Sequence, residues 1–238
     1  MISLEKQAVG PAFKNGFIVS CDRTREAVLI DPGDEIEGLL AVAEGRALAI
    51  KWILLTHAHI DHITGVPAAK KALGVPIYLH RDDLFLYERG ADQAEMYGFH
   101  LDPLPPVDQF YKPGDVFTFG EHEVRWHHTP GHCPGGVCLQ VGSACGPREE
   151  SESSSAAARA SGGGAPRALI DDLFVGDTLF AGSIGRTDFA GGNLETLMAS
   201  IRNVLFAFGD DARVHPGHGP STTIGRERRT NPFVMERA

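Results

Sequence analysis

Cysteine is scarce in this chain, and the four present, Cys21, Cys133, Cys138 and Cys145, include no Cys-x-x-Cys pair. Reduced thiols are therefore expected, and the fold has to hold without disulfides. Positive charge is also in deficit, with 22 Lys and Arg against 31 Asp and Glu and a formal net charge of -9, which argues against a nucleic-acid surface. The tight basic cluster, Arg226, Arg228 and Arg229, is most simply a solvated helix face. An opening apolar run is missing too. Met1 to Gly10 carries Glu5 and Lys6, so neither a signal peptide nor a membrane anchor is expected, and the cytoplasm is the expected address. What remains is 238 residues with 42% hydrophobic content, enough to bury a core as one domain over 1–238.

Against these absences stands a dense run of polar side chains, Thr56-His57-Ala58-His59-Ile60-Asp61-His62, directly after the apolar strand Trp52 to Leu55. Imidazole and carboxylate are the ligands that borderline divalent ions such as zinc prefer, and a loop leaving a strand can turn alternate side chains toward one point. A polar surface loop is the plainer alternative, but four ligand-type residues in seven weigh against it. A helix is expected from about Asp61, with Pro67 in its first turns and Gly74 as its stop. Three further turns each present one ligand-type residue after an apolar stretch: Thr129-Pro130-Gly131-His132, Gly176-Asp177-Thr178 and Pro216-Gly217-His218-Gly219. Each alone is ordinary loop punctuation; their joint occurrence with the seven-residue run makes them candidates. Cys133, next to His132, is read as a bystander rather than a ligand. His127 and His128 face opposite sides of a strand and are left out, as are His80 and His100.

Periodicity orders the rest. Phe17 to Cys21 and Ala27 to Asp31 predict an antiparallel pair, followed by a turn at Asp31-Pro32-Gly33-Asp34 and a helix over Glu35 to Glu44. Leu48 to Leu55 and Pro76 to Leu79 predict strands, and Asp82 to Tyr97 a helix with Leu84, Phe85 and Met96 inward. A hairpin is expected over Val116 to Phe119 and Glu123 to Trp126, then strands over Val137 to Val141 and Ala168 to Val175, a helix over Leu194 to Phe208 and a strand over Ala212 to His215. The Ser, Ala and Gly tract between Gly142 and Pro166 lacks the large apolar residues that offset ordering entropy, so 143–167 is expected to be a flexible insertion. Mixed strands with intervening helices in both halves fit an α/β fold of two sheets between helices. Seven potential ligands exceed the four of a closed mononuclear zinc site and suit two ions sharing a carboxylate.

The run from Thr56 to His62, with His132, Asp177 and His218, resembles the five-part signature of the metallo-β-lactamase fold superfamily. Gly176-Asp177-Thr178-Leu179-Phe180, Ser183-Ile184-Gly185-Arg186-Thr187-Asp188-Phe189 and His215-Pro216-Gly217-His218-Gly219-Pro220 resemble its short glyoxalase-II-like (hydroxyacylglutathione hydrolase-like) branch, as do Gly225-Arg226-Glu227-Arg228 and Asn231-Pro232-Phe233. The resemblance implies a four-layer αββα sandwich of two mixed β-sheets flanked by helices. It implies His57, His59 and His132 on one ion, Asp61, His62 and His218 on the other, and Asp177 between them. The ions would be divalent, zinc first, with iron or manganese as alternatives. The implied activity is hydrolysis of a small-molecule thioester, such as S-lactoylglutathione or a related acyl thioester, by hydroxide held between the ions, with Asp61 and Asp177 as catalytic residues. Neither nucleic acid nor membrane is an expected partner. Larger glyoxalase II enzymes carry a C-terminal helical domain that helps bind glutathione, whereas this sequence runs twenty residues past His218. At their lysine and tyrosine glutathione contacts stand Arg186 and Asp188, which either bind the substrate anion through Arg186 or form a structural ion pair. A mononuclear-iron persulfide dioxygenase, through Ile63-Thr64-Gly65 and Gly185 to Phe189, and a hydrolase of lactones or other esters are the alternatives.

Overall fold

The computed structural model describes residues 1–10, 13–144 and 171–235. Cys145 and residues 145–167 of the expected insertion lie outside them, as do residues 168–170 of the strand expected over Ala168 to Val175. The first half contributes strands β1 (Ile2–Val9), β2 (Lys14–Cys21), β3 (Glu26–Ile30), β4 (Ala49–Leu54), β5 (Ile77–Leu79) and β6 (Gln109–Phe110), which hydrogen-bond in that order. The second sheet runs β14 (Thr222–Thr223), β13 (Arg213–Pro216), β10 (Asp172–Gly176), β9 (Val137–Ser143), β8 (His122–His128), β7 (Val116–Phe119), and β11 (Leu179–Phe180) with β12 (Ser183–Ile184) forms a small hairpin. Both large sheets mix parallel and antiparallel neighbours.

Side-chain alternation explains why these sheets stack. Val28 and Ile30 of β3 join Phe17, Val19, Leu54, Phe117, Leu139 and Phe174 between the two sheets, while Ala27 and Leu29 turn outward under helices. Those helices are α1 (Glu37–Gly45), α2 (Ile60–Ile63), α3 (Val66–Leu73), α4 (Leu84–Glu88) and α5 (Gly90–Met96). On the far side, Leu173, Val175 and Val214 pack on Leu197 and Ile201 of α6 (Leu194–Asn203) and Ile224 of α7 (Ile224–Thr230). The result is the expected four-layer αββα sandwich. Strands buried on both faces, such as β2, have no solvent side to register against, so apolar burial of about 1.5–3 kcal/mol per large side chain fixes them. Phe17 and Phe174 meet edge to face at 5.0 Å across the sheets.

Several expected boundaries shift. The helix expected from Asp61 to Gly74 is broken at Thr64–Gly65, because the Gly65 backbone turns to bond Pro32 O at 2.8 Å and an added Cβ there would lie 2.2 Å from Gly33 O. Gly74 does stop α3, in the left-handed conformation. The helix expected over Asp82 to Tyr97 is a 3-10 turn followed by α4 and α5; its buried apolar residues are Leu86, Tyr87 and Ala94, and Leu84, expected inward, is half-buried. Phe85 and Met96 are exposed. Edge strand β1 escapes the sequence reading: its exposed and half-buried positions mix polar with apolar residues. No helix among the described residues is long and apolar enough to cross a membrane.

Candidate metal centre

All four donor turns leave strands at one edge of the sandwich. The run from His57 to His62 follows β4, His132 follows β8, Asp177 follows β10 and His218 follows β13. Parallel pairing of β10 with β13 sets Gly176 opposite Pro216, and the Gly217 N–H donates to Gly176 O at 2.8 Å, so the Asp177 and His218 turns lie side by side. Cross-sheet bonds join the halves there: Val137 N–H donates to Thr56 O at 2.9 Å and Asn15 N–H to Gly217 O at 2.6 Å. The Asn15 Nδ2 donates to Pro216 O and Gly219 O, at 3.0 and 2.9 Å, and clamps the His218 turn to β2.

The seven candidate donors come together. His57, His59 and His132 form one group of converging ligand atoms, His57, His62 and Asp177 a second, and Asp61, His62 and His218 a third. Asp177 sits between them: its Oδ1 lies 3.4 Å from His62 Nε2, and its Oδ2 lies 3.7 Å from His132 Nε2 and 3.4 Å from His218 Nε2. His218 Nε2 also approaches Asp61 Oδ2 at 3.0 Å, and His59 Nδ1 meets His132 Nε2 at 2.7 Å.

Three imidazoles are each held by one ring nitrogen. His57 Nδ1 meets Thr56 Oγ1 at 3.1 Å, His62 Nδ1 meets Asp31 Oδ2 at 2.9 Å, and His132 Nδ1 meets Arg186 O at 2.7 Å. Anchoring one nitrogen fixes the ring and aims the other inward, the arrangement seen behind metal-ligating histidines. His57 Nε2, His62 Nε2 and Asp177 Oδ1 are buried and make no hydrogen bond. Leaving such atoms without a hydrogen bond is costly, and bound cations would satisfy them. Gly217 makes room for two of them, on Asp177 and His62: an added Cβ would lie 2.2 Å from Asp177 Oδ1 and 2.6 Å from His62 Cε1. The donor set therefore fits divalent ions.

The carboxylates and imidazoles of the cluster shift one another's protonation. Burial opposes ionisation of His62, yet Asp61, Asp177 and Asp31 raise it to about 9; burial likewise opposes His218, which hydrogen bonds to Asp177 and Asp61 raise to about 10. Burial would lift Asp61, but His62 and His218 bring it down to about 2, and Asp177 is held well below the usual carboxylate range for the same reasons. Burial, followed by neighbouring imidazoles, keeps His57 far below its ordinary value and His59 at about 3, so both are neutral.

A profile of the metallo-beta-lactamase superfamily matches residues 9–144, and a hydroxyacylglutathione hydrolase GloC of Haemophilus influenzae is 35% identical over 229 residues, covering 95% of this chain and 96% of that protein. The chain belongs to the metallo-beta-lactamase superfamily. Two solved structures of similar extent agree. TTHA1623 in a di-iron-bound form superposes with a TM-score of 0.75 at 37% identity, covering 96% of this chain and 99% of that one. The BLEG-1 B3 metallo-beta-lactamase has a TM-score of 0.77 at 32% identity, covering 98% and 100%. Membership of this metallo-hydrolase superfamily implies divalent-metal binding by the His and Asp cluster.

Other residues behind this superfamily site were not singled out from sequence. Asp31, at φ 48°, accepts from Thr56 N and Oγ1 at 2.7 and 2.6 Å as well as facing His62. Asp83 is fully buried and ties the two histidine turns together, accepting from Ala58 N at 3.1 Å, Gly135 N at 2.6 Å and Cys133 Sγ at 3.1 Å. An aspartate at an inward position of an apolar helix pattern is the signal that could have found it. Cys133 is buried, its thiol held on Asp83 and pushed far above its usual range by burial, which makes it an inert packing residue. Arg186 grips Asp188 through two bonds, 2.7 and 2.6 Å, and lies 3.9 Å over the Phe189 ring, whose edge meets His59. His80 and His128 stack outside the centre at 4.3 Å with planes 13° apart, beside Asp82. Parallel rings point their lone pairs alongside each other rather than at one ion.

Proposed function

We propose that this protein is a binuclear thioester hydrolase of the hydroxyacylglutathione hydrolase type, acting on S-lactoylglutathione or a related acyl thioester. The observation that carries this is Asp177, with one oxygen facing His62 and the other facing His132 and His218, so that a single carboxylate reaches both donor groups. The similarity to GloC over nearly the whole of both chains supports the substrate class. His57, His59 and His132 would hold one ion, Asp61, His62 and His218 the second, with Asp177 shared. Two bound divalent ions supply Lewis acidity and bring the pKa of water from about 15.7 toward 7. Zinc is the first choice of metal; the di-iron relative keeps iron open.

The chain's own residues do the rest. Asp61 Oδ2 and Asp177 Oδ2 both face His218, so two carboxylates border the place where an attacking water is oriented. A thiol of ordinary pKa, about 8.5, departs as thiolate near neutrality without a dedicated general acid, and the scheme assigns none. Arg186 stands at the rim as the candidate contact for a substrate anion, sharing its guanidinium with Asp188. In this reading residues 1–238 form one domain with an insertion at 143–167.

One preparation decides among the readings. It is assayed for metal content, for hydrolysis of S-lactoylglutathione, for oxygen uptake with glutathione persulfide and for opening of a chromogenic cephalosporin, the last because of the likeness to BLEG-1. Two ions with thioester cleavage dominating is the expected result. One iron with oxygen uptake, or lactam opening faster than thioester cleavage, overturns it.

A further inference from the structure

His59 is held differently from its neighbours in the centre. The rings of His57, His62 and His132 are each fixed by one nitrogen, whereas His59 turns Nδ1 toward His132 and its Nε2 has no hydrogen-bond partner among the described residues. The Phe189 ring meets it at 5.2 Å, an aromatic contact that supplies no hydrogen bond. What is fixed is the His59 backbone. Gln93, half-buried on α5, accepts from Ile60 N through Oε1 at 3.2 Å and donates through Nε2 to Ala58 O at 3.2 Å.

Those two atoms belong to the peptide units on either side of the His59 Cα. Each unit is planar, so the way two successive units meet is set by φ and ψ of the residue between them, here -68° and 150°, and these angles place its Cβ. One side-chain amide therefore grips both planes and aims the imidazole from its backbone. Asp83 holds the plane before them, through Ala58 N. The amide's orientation follows from its partners. Its Nε2 also donates to Leu86 O at 2.8 Å, so the reverse assignment would set an oxygen against two carbonyls and an amide nitrogen against an N–H. A carboxylate in its place would lack the donors.

We propose that Gln93 is a positioning residue of the metal centre, fixing the backbone of His59 so that a ligand whose ring lacks an anchor of its own still converges with His57 and His132. The inference rests on His59 being a ligand, as in the reading given above. Losing the amide leaves Ala58 O and Ile60 N without this partner and frees the two planes to turn. Groups that orient a ligand from behind are worth about 10–100-fold in metal affinity. The competing role is a tie between helices, since Leu86 lies on α4; that role would cost stability and leave His59 in place.

The test is a zinc titration of metal-free protein in competition with a chromophoric chelator, on wild type, Gln93→Met, His59→Ala, the double variant and Tyr87→Phe, with the visible spectrum of each cobalt(II)-loaded protein. Tyr87→Phe is the structural control, since its hydroxyl donates to Pro105 O at 2.8 Å from α4. Gln93→Met should weaken the binding step that His59→Ala weakens, by about tenfold or more, and change the cobalt bands. In the His59→Ala background it should add less than about twofold, because the two act as one unit. Tyr87→Phe should lower Tm and leave zinc affinity and spectrum alone. A folded Gln93→Met that binds zinc as wild type does overturns the proposal, as does one that weakens binding equally with and without His59. If Gln93→Met does not fold, Gln93→Glu, which keeps an oxygen for Ile60 N and loses both donors, carries the same comparison. His59→Ala with every step unchanged fails the ligand reading beneath the proposal, a result read from that variant alone.

Discussion

Gly217→Ala is the sharpest perturbation of the centre, because it adds one methyl group aimed at two candidate donors. The new Cβ would stand 2.2 Å from Asp177 Oδ1 and 2.6 Å from His62 Cε1. Carbon–oxygen contacts run at about 3.3–3.6 Å, so Asp177 or the turn must retreat by about 1 Å. Metal–ligand distances tolerate only about 0.2 Å, and a misplacement of about 1 Å in a reacting array costs on the order of 100-fold in rate. We therefore expect turnover to fall about 100-fold and the metal content of purified protein to drop below two ions per chain, with the circular dichroism spectrum retained. Gly219→Ala is the matched control two residues on. Its Cβ would meet nothing within 4 Å, but φ is +76°, so it should cost about 1 kcal/mol of stability through backbone strain and leave metal content intact. Full metal content and turnover in Gly217→Ala would refute the convergence of Asp177 and His62 on one place.

Asp61→Ala and Asp177→Ala should each abolish thioester turnover and lower bound metal, read by elemental analysis beside kcat; normal metal with retained activity contradicts the assignment. Asp83→Ala strands the Ala58 and Gly135 N–H groups, each worth about 1–3 kcal/mol when left buried without a partner, so Tm should fall clearly, with metal affinity falling alongside. Filling the metal-free protein at pH 7 should release about two protons, since His62 and His218 sit near 9 and 10 and a cation must displace both; affinity therefore rises with pH up to that range, measured by titration in buffers of different protonation enthalpy. Arg186→Ala should raise KM for an anionic thioester several-fold with Tm nearly unchanged. A shift in Tm with constant KM would mark the Asp188 pair as purely structural.

How much was legible beforehand differs from residue to residue. His57, His59, Asp61 and His62 stand out because their density in seven positions survives without any tertiary information. His132, Asp177 and His218 were legible only jointly, as single donors in turns after apolar strands. Asp31 and Asp83 were not: one looked like turn punctuation and the other like the start of an amphipathic helix, since an aspartate's sequence neighbours do not reveal which distant N–H groups it will accept from. Helix continuity failed at Gly65 for a similar reason, the chain there bending to meet Pro32, thirty-three residues earlier.

By itself, then, the order of residues marked the elements that alternate in burial, the candidate donors and the family. Those depend on local period and residue type, which any window of the chain contains. Only the tertiary structure decided that Asp177 faces both donor groups, that Arg186 is engaged by Asp188 and Phe189, and that Lys14 is buried with its ammonium on the Asp31 carbonyl. Each of these is a distance between strands from different parts of the chain, set by how two sheets pack, and packing is a property of the whole core.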